Sequence, residues 1–579
     1  MNMKRVVFLF AVMIGFFSLL HAQEGAEGKY TGNLEKKKDW RDKRFGMFIH
    51  WGPVTLTGKE IGWSRGSQVP VEEYDSLYKR FNPVKFNADE WVSLAKSAGM
   101  KYIVLTSKHH DGFCLWNTRQ TDYNIMNTPF GRDVVKELSE ACRRQGMAFG
   151  LYYSTCDWHH PDFPLTSPGG SVERKESNLD RYTSYMKRQV AELLVNYGPL
   201  YVLWFDVPQK FDKTRGQGVI DFARAIQPDI WINDRTGAKG DFNTPEQRIG
   251  GFNNKRAWES CMTIARQWSW KPNDKVKSLE QCIQTLVRTV GGDGNLLFNI
   301  GPKPDGSIEP EQVERLKEMG LWLERYGETI YGTRGGPYKP ADWGVSTRRG
   351  NHIYLHILAW QGDKPRIVLP DIGIDVKACR LYDGGKVNCK KNKNGEYEIT
   401  FSPKHLNGLN TIIELEMDSS VMHAVPVDVR PQSLLYRKKV KASTCPDKKW
   451  HGVEFLCNGD WSGIGWRPDK KDKQPWVEFD LEQECKISNA VLFETTGKAV
   501  EEFEIQKPSG DGWTTVYKGK NIGERLDVSF PSFKSDKVRI VFTKLAGMPE
   551  LSEIIILMIN GLIDAIILIL HFCASILQV

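Results

Sequence analysis

The chain has no cysteine pair at C-x-x-C spacing, no H-x-H or H-E-x-x-H run, and no G-x-G-x-x-G after its first apolar strand segment. The first two absences argue against a thiolate or helix-borne zinc centre, and the third against a dinucleotide-binding sheet. Charge of one sign is also missing. Lys and Arg number 79 against 71 Asp and Glu, a net charge of +8 with no basic block that would track a phosphate backbone, so nucleic acid is not an expected partner. Cysteine is sparse, 11 in 579 residues, and scattered singly, as at Cys114, Cys142, Cys156, Cys261 and Cys282. An odd number without paired spacing fits buried free thiols better than a disulfide framework.

The longest apolar runs stand at the two ends. Lys4 and Arg5, the apolar stretch Val6 to Leu20 and the small residue Ala22 read as a secretory signal over residues 1–22, which implies export to the periplasm or cell surface. Residues 557–579 are apolar but interrupted by Asn560, Asp564 and His571, with no basic flank, and read as a dispensable tail in preference to a membrane span. The length between them requires several cores.

From about residue 29 to 335, near-continuous apolar segments alternate with amphipathic ones. RFGMFIHWG (44–52), KYIVLTSKHH (101–110), AFGLYYS (148–154), YVLWFDV (201–207), IWIND (230–234) and NLLFNIG (295–301) read as strands. Asn87 followed by Glu90 starts one intervening helix, and Val134, Val135, Leu138, Ala141 and Cys142 mark another. Six or more βα units with apolar strands predict an α/β fold of the (β/α)8 barrel type, with an open doubly wound sheet as the alternative. Residues 336–425, with alternating Ile353, Leu355 and Ile357 and turns at DGG and NKNG, predict a small antiparallel β-sandwich. Residues 430–556 continue in β style with a different composition.

In a parallel barrel, reactive groups gather where strands end. Here those positions hold His50, His109 and His110, Tyr152, Trp204 with Asp206, and Arg235, followed by Glu246 and Glu259. Neighbouring histidines on a strand point to opposite faces, so His109 and His110 could share an ion only after a bend, and no metal is expected. Paired carboxylates suit glycoside hydrolysis: one ionised and attacking from a rigid strand end, as Asp206 could, the other protonating the leaving oxygen, as Glu246 or Glu259 could. Imidazoles and Arg235 nearby would hold hydroxyl groups and keep Asp206 ionised.

The segments FGMFIHWG, SKHHDGFCLW, LYYS, VLWFD, NDR, TPEQ, GGDGNLLFNIGP and WLERYGETIYGT, in this order, resemble glycoside hydrolase family 29, the α-L-fucosidases. The resemblance implies a retaining exo-hydrolase without metal or organic cofactor, acting on fucosylated oligosaccharides or glycoconjugates. It further implies Asp206 as nucleophile, Glu246 as acid/base with Glu259 as rival, and a fucose pocket lined by His50, His109, His110, Tyr152, Trp204 and Arg235. Trp268 matches an aromatic residue near the sugar methyl, and Glu60 a pocket carboxylate of one branch. Val207-Pro208, after the nucleophile position, departs from the family pattern. A barrel that binds glycan without hydrolysing it is the alternative reading. NGDWSGIGW, QPWVEFDLEQECKI and EEFEIQKPSGDGWTTVY resemble a discoidin-like, or coagulation-factor type C, module, which implies a second β-sandwich serving as a glycan-binding or purely structural domain.

Overall fold

A computed structural model of the chain describes residues 34–167, 174–360, 365–429, 433–448, 450–459, 464–495 and 499–558. The expected signal segment lies outside them, as does the expected tail from residue 559 onward. A helix over Leu34–Lys43 precedes eight parallel strands: β1 (Phe45–Ile49), β2 (Tyr102–Lys108), β3 (Ala148–Ser154), β4 (Val202–Asp206), β5 (Trp231–Ile232), β6 (Phe242–Asn243), β7 (Ala257–Thr263) and β8 (Asn295–Ile300). They hydrogen-bond in the order β5-β4-β3-β2-β1-β8-β7-β6, and an isolated bridge between Asn233 and Phe242 joins the two edges into a nearly closed barrel. Every residue of β1, β2, β4, β7 and β8 is buried, as parallel strands covered on both faces require.

Long helices pack between the strands: α1 (Ala88–Ser97), α2 (Val134–Gln145), α3 (Leu179–Asn196), α4 (Lys213–Ile226), α5 (Leu279–Gly291) and α6 (Pro310–Tyr326). Their starts follow local chemistry. Asn87 accepts hydrogen bonds from the Asp89 and Glu90 amides, and Ser278 with Gln281 forms a reciprocal capping box before α5. Two of the eight strands were not among those read from the sequence. β6 is only two residues long, and β7 (AWESCMT) mixes polar with apolar side chains, so neither shows the continuous apolar run of the others. The expected second strand, 101–110, ends instead at Lys108, and the chain turns through His109 and His110.

The antiparallel region follows with β9 (Arg334–Gly335), β10 (Gly344–Arg349), β11 (His352–Ile357), β12 (Arg366–Leu369), β13 (Val376–Leu381), β14 (Val387–Lys391), β15 (Tyr397–Phe401) and β16 (Thr411–Met417). They form a five-stranded sheet, β13-β16-β11-β10-β9, and a three-stranded one, β12-β15-β14, around a core of their own. The DGG and NKNG turns link β13 to β14 and β14 to β15 as read. The last sheet comprises β17 (Lys439–Ala442), β18 (Trp476–Glu494), β19 (Val500–Ser509), β20 (Gly512–Lys520), β21 (Leu526–Leu545) and β22 (Leu551–Met558), enclosing a third core. β22 pairs with β18 through Met558, so the strand runs two residues into the segment expected to be tail. Among the described residues, no helix is long and apolar enough to cross a membrane.

From Lys43 onward these parts cluster as one unit. Val345, Tyr354, Leu358 and Ile412 of the antiparallel region belong to the barrel's hydrophobic core, so the expected boundary at 335/336 is crossed by a shared interior. Gly291, the last residue of α5, faces β10 so closely that an added Cβ would stand 2.3 Å from the Val345 Cβ. Gly291→Ala must therefore push β10 away, an overpacking expected to lower the thermal midpoint by about 2 °C or more. Differential scanning calorimetry measures this, and an unchanged midpoint would reject the shared core.

Candidate active site

The mouth of the barrel holds a cavity of ≈ 680 Å³ lined by His50, His109, Tyr152, Trp204, Asp206, Arg235, Glu246 and Trp268, with Phe48, Trp63 and Trp450 among the other walls. Asp206 closes β4. Its Oδ1 accepts from Arg235 Nη1 at 2.9 Å and from the Val207 amide at 2.9 Å. Its Oδ2 accepts from the Tyr152 hydroxyl at 2.9 Å and faces His110 Nε2 at 3.9 Å. Val207 adopts φ 50°, a left-handed conformation costly for a β-branched residue, and this lets its amide fold back onto the carboxylate. Burial pushes the Asp206 pKa upward, but Arg235, His110 and the hydrogen bonds from Arg235 and Tyr152 outweigh it and hold the group below the usual carboxylate range.

Arg235 organises the floor. Nη1 donates to Asp206 Oδ1 at 2.9 Å and to Glu246 Oε2 at 2.8 Å. Nε donates to Thr244 Oγ1 and Nη2 to the Thr244 carbonyl, both at 2.8 Å, while the guanidinium carbon lies 4.8 Å from the Trp204 ring centroid. The two carboxylate oxygens share one donor, so they cannot be farther apart than the sum of its two bonds. That ceiling lies just above the roughly 5–5.5 Å separation of retaining glycosidases and below the roughly 6.5–9.5 Å of inverting ones.

The histidines are neutral acceptors or donors. Burial lowers His50 to about 3 and His110 to about 4, and pushes His109 well below the ordinary imidazole value. Asn299 donates its amide to the Trp268 carbonyl at 2.7 Å, which leaves its Oδ1 to accept from His50 Nδ1 at 2.7 Å. His50 Nε2 is then an unprotonated acceptor. His110 Nδ1 pairs with Ser154 Oγ at 2.7 Å. Because the chain bends after β2, the His109 and His110 rings come within 3.9 Å of one another, and His109 stacks on Tyr152 at 5.4 Å, in place of the opposite-face arrangement of an extended strand. Among the described residues, no three His, Cys, Asp or Glu side chains gather as a metal site would require.

The profile of the α-L-fucosidase family matches residues 19–328, more than half of the chain. The chain belongs to the α-L-fucosidase family. It is similar to human plasma α-L-fucosidase, 33% identical over 360 residues that span 55% of this chain and 76% of that one. Among solved structures it is similar to α-L-fucosidase isoenzyme 1 of Paenibacillus thiaminolyticus, at 35% identity and a TM-score of 0.62, covering 67% of this chain and 100% of that one. An α-L-fucosidase of Bacteroides thetaiotaomicron, solved as a trapped covalent intermediate with 2-fluoro-fucosyl fluoride, matches at 28% identity and a TM-score of 0.61, over 68% of this chain and 99% of that one. The F5/8 type C profile matches residues 439–554, the last sheet.

Two carboxylates of this fucosidase fold stand elsewhere than the family resemblance implied. Glu259, the rival acid/base, is fully buried in β7 beneath the pocket, where it accepts from Trp204 Nε1 at 3.1 Å and from the Tyr102 hydroxyl. It fixes the tilt of Trp204 and does not line the cavity. Glu60 accepts from the Ile61, Trp268 and Ser269 amides at 3.0, 2.9 and 3.1 Å, tying down the loop that presents Trp268 without itself lining the cavity. Phe48 and Trp63 were missed by sequence reading. Phe48 was legible in principle, because it shares a strand face with His50, two residues on. Its ring lies 4.5 Å from His50 and 5.4 Å from Trp204.

Burial raises Glu259 to about 7 from the ordinary 4.5, against the pull of its two hydrogen bonds. A carboxyl that binds a proton more tightly in the folded state loses stability as pH rises from about 4.5 to about 7. Glu259→Gln can accept from Trp204 and donate to the Tyr102 oxygen, so it should keep its fold and flatten the fall of the melting temperature between pH 5 and pH 8. Glu259→Ala orphans both donors and should destabilise by about 3 kcal/mol. Melting curves at the two pH values test this, and an unaltered slope in the Gln variant would refute the role.

Proposed function

We propose that the chain is a retaining exo-α-L-fucosidase that releases terminal fucose from oligosaccharides or glycoconjugates by double displacement, with Asp206 as nucleophile and Glu246 as acid/base. The observation that carries the reading is the shared donor: Arg235 Nη1, 2.9 Å from Asp206 Oδ1 and 2.8 Å from Glu246 Oε2, keeps these two oxygens closer than the separation of inverting enzymes, which supports a retaining arrangement. In the first step an Asp206 oxygen forms a bond to the anomeric carbon as the bond to the leaving oxygen breaks, and Glu246 gives its proton to that oxygen. Oδ2, which accepts from Tyr152, is the better placed of the two, because Oδ1 already serves Arg235 and Val207. In the second step Glu246 takes a proton from water, the water oxygen bonds to the anomeric carbon, and Asp206 departs as carboxylate. Neutral His50 and His109, which line the cavity, are suited to hydroxyl recognition, His110 stands behind them beside Asp206, and Trp268 and Phe48 supply the apolar surface a methyl group needs.

We also propose, from the basic and apolar composition of residues 1–22, that the enzyme acts after export. The site favours hydrolysis over the non-catalytic alternative, since a lectin would not need two carboxylates held on one guanidinium nitrogen.

Asp206→Ala should reduce turnover of an aryl α-L-fucoside by roughly 10³-fold or more, with azide restoring turnover and yielding the fucosyl azide of inverted configuration. Product analysis by NMR decides it; full activity of the variant would remove Asp206 from this role. Glu246→Ala should cripple hydrolysis of a fucosylated trisaccharide far more than that of a dinitrophenyl fucoside, since a poor leaving group depends most on its proton, and azide should now give retained configuration. An equal loss on both substrates would reassign the acid/base.

A further inference from the structure

We propose that the C-terminal discoidin-like module completes the active site: Trp450 is the stacking platform for the sugar from which fucose is cleaved, and the cleft between the module and the β6–β7 connection holds the rest of that glycan. The proposal rests on the fucosidase reading above and adds the leaving-group side to it.

Trp450 lies in the module, far along the chain from the barrel, yet it lines the same cavity as Asp206 and Glu246. Its loop is held by the module's own bonds. Asp447 Oδ1 accepts the Trp450 amide at 3.1 Å, and the Asp447 carbonyl accepts the His451 amide at 2.8 Å. His451 Nδ1 donates to the Gly465 carbonyl at 2.8 Å, and the buried Trp466 donates from Nε1 to the Thr444 carbonyl at 3.1 Å. The module is in turn tied to the antiparallel region, because the Tyr436 hydroxyl donates to the Pro340 carbonyl at 2.8 Å and the Ser433 amide to Asp342 Oδ2. An indole presented this way costs little further ordering when a ligand settles on it.

A second cavity of ≈ 700 Å³ adjoins the first. The two share Arg235, Thr244, Pro245 and Arg248 as walls, and the second continues between the barrel and Tyr436, Arg437, Phe455 and Asn458 of the module. Its direction is informative. The acid/base protonates the leaving oxygen, so the leaving group must lie on the Glu246 side of the fucose. Thr244, Pro245 and Arg248, which flank Glu246 in the chain, are the walls from which the second cavity opens. Aromatic faces, a guanidinium and an amide along that path match the alternating C–H faces and hydroxyls of an oligosaccharide. α-L-Fucosyl fluoride, whose leaving group is a single atom, reaches neither Trp450 nor the second cavity.

The test is steady-state kinetics of the intact chain on α-L-fucosyl fluoride and on a fucosylated trisaccharide, for wild type, Trp450→Ala and Trp450→Phe, with melting temperatures measured in parallel. The ratio of kcat/KM on the trisaccharide to kcat/KM on the fluoride should fall at least about tenfold in Trp450→Ala and be largely restored in Trp450→Phe. The inhibition constant of the defucosylated disaccharide should rise by a similar factor, which a merely structural role would not produce. Should Trp450→Ala fail to fold, Trp450→Leu, which keeps apolar bulk without a flat face, carries the same comparison. A folded variant whose ratio stays within about twofold of wild type overturns the proposal. A wild-type enzyme that hydrolyses neither substrate overturns the fucosidase reading instead.

Discussion

A carboxylate as buried as Asp206 would not stay ionised without a compensating charge. Arg235 meets that constraint by placing one guanidinium nitrogen between Asp206 and Glu246. Its own placement depends on Thr244, which takes both its Nε and its Nη2, and on the face of Trp204, which is braced from below by Glu259. The site is thus a chain of supports running from the barrel interior to the two carboxylates. Its rigidity comes from strand ends, with the strained Val207 backbone adding a donor where no side chain could.

The surrounding histidines show how burial sets chemistry. The His50 ring is bonded to a group that selects its tautomer, and all three rings are pushed toward the neutral form by the loss of water. This leaves the arginine as the cation facing Asp206, so that carboxylate is stabilised by a charge that does not titrate in the working range. Trp268, with its loop anchored by Glu60, and Phe48 close the apolar side.

The C-terminal parts are more than appendages to the barrel. The antiparallel region shares the barrel's core through residues such as Val345 and Ile412, and the last module reaches the catalytic cavity through Trp450. A module placed this way can influence which glycan is accepted by shaping the cavity itself, as well as by any binding surface of its own.

Sequence alone determined a parallel α/β fold, because parallel strands buried on both faces must be written as continuous apolar runs, and it singled out Asp206, Tyr152, Trp204 and Arg235 at or near successive strand ends; closure into a barrel in place of an open sheet depends on the Asn233–Phe242 bridge between the edges. The antiparallel region was legible from its alternation and its turns. Tertiary structure alone decided what depends on distance between remote segments. Glu246 and Glu259 are both carboxylates within reach of the fifth strand end in the chain, but β7 turns Glu259 inward against Tyr102 and Trp204, while the β6–β7 connection carries Glu246 to Arg235. β6 and β7 themselves lack the long apolar signal and become strands through pairing with β8 and with each other. The bend that brings His109 and His110 to one side, and the arrival of Trp450 at the cavity, likewise arise from packing between elements far apart in the chain, which no local pattern of residues encodes.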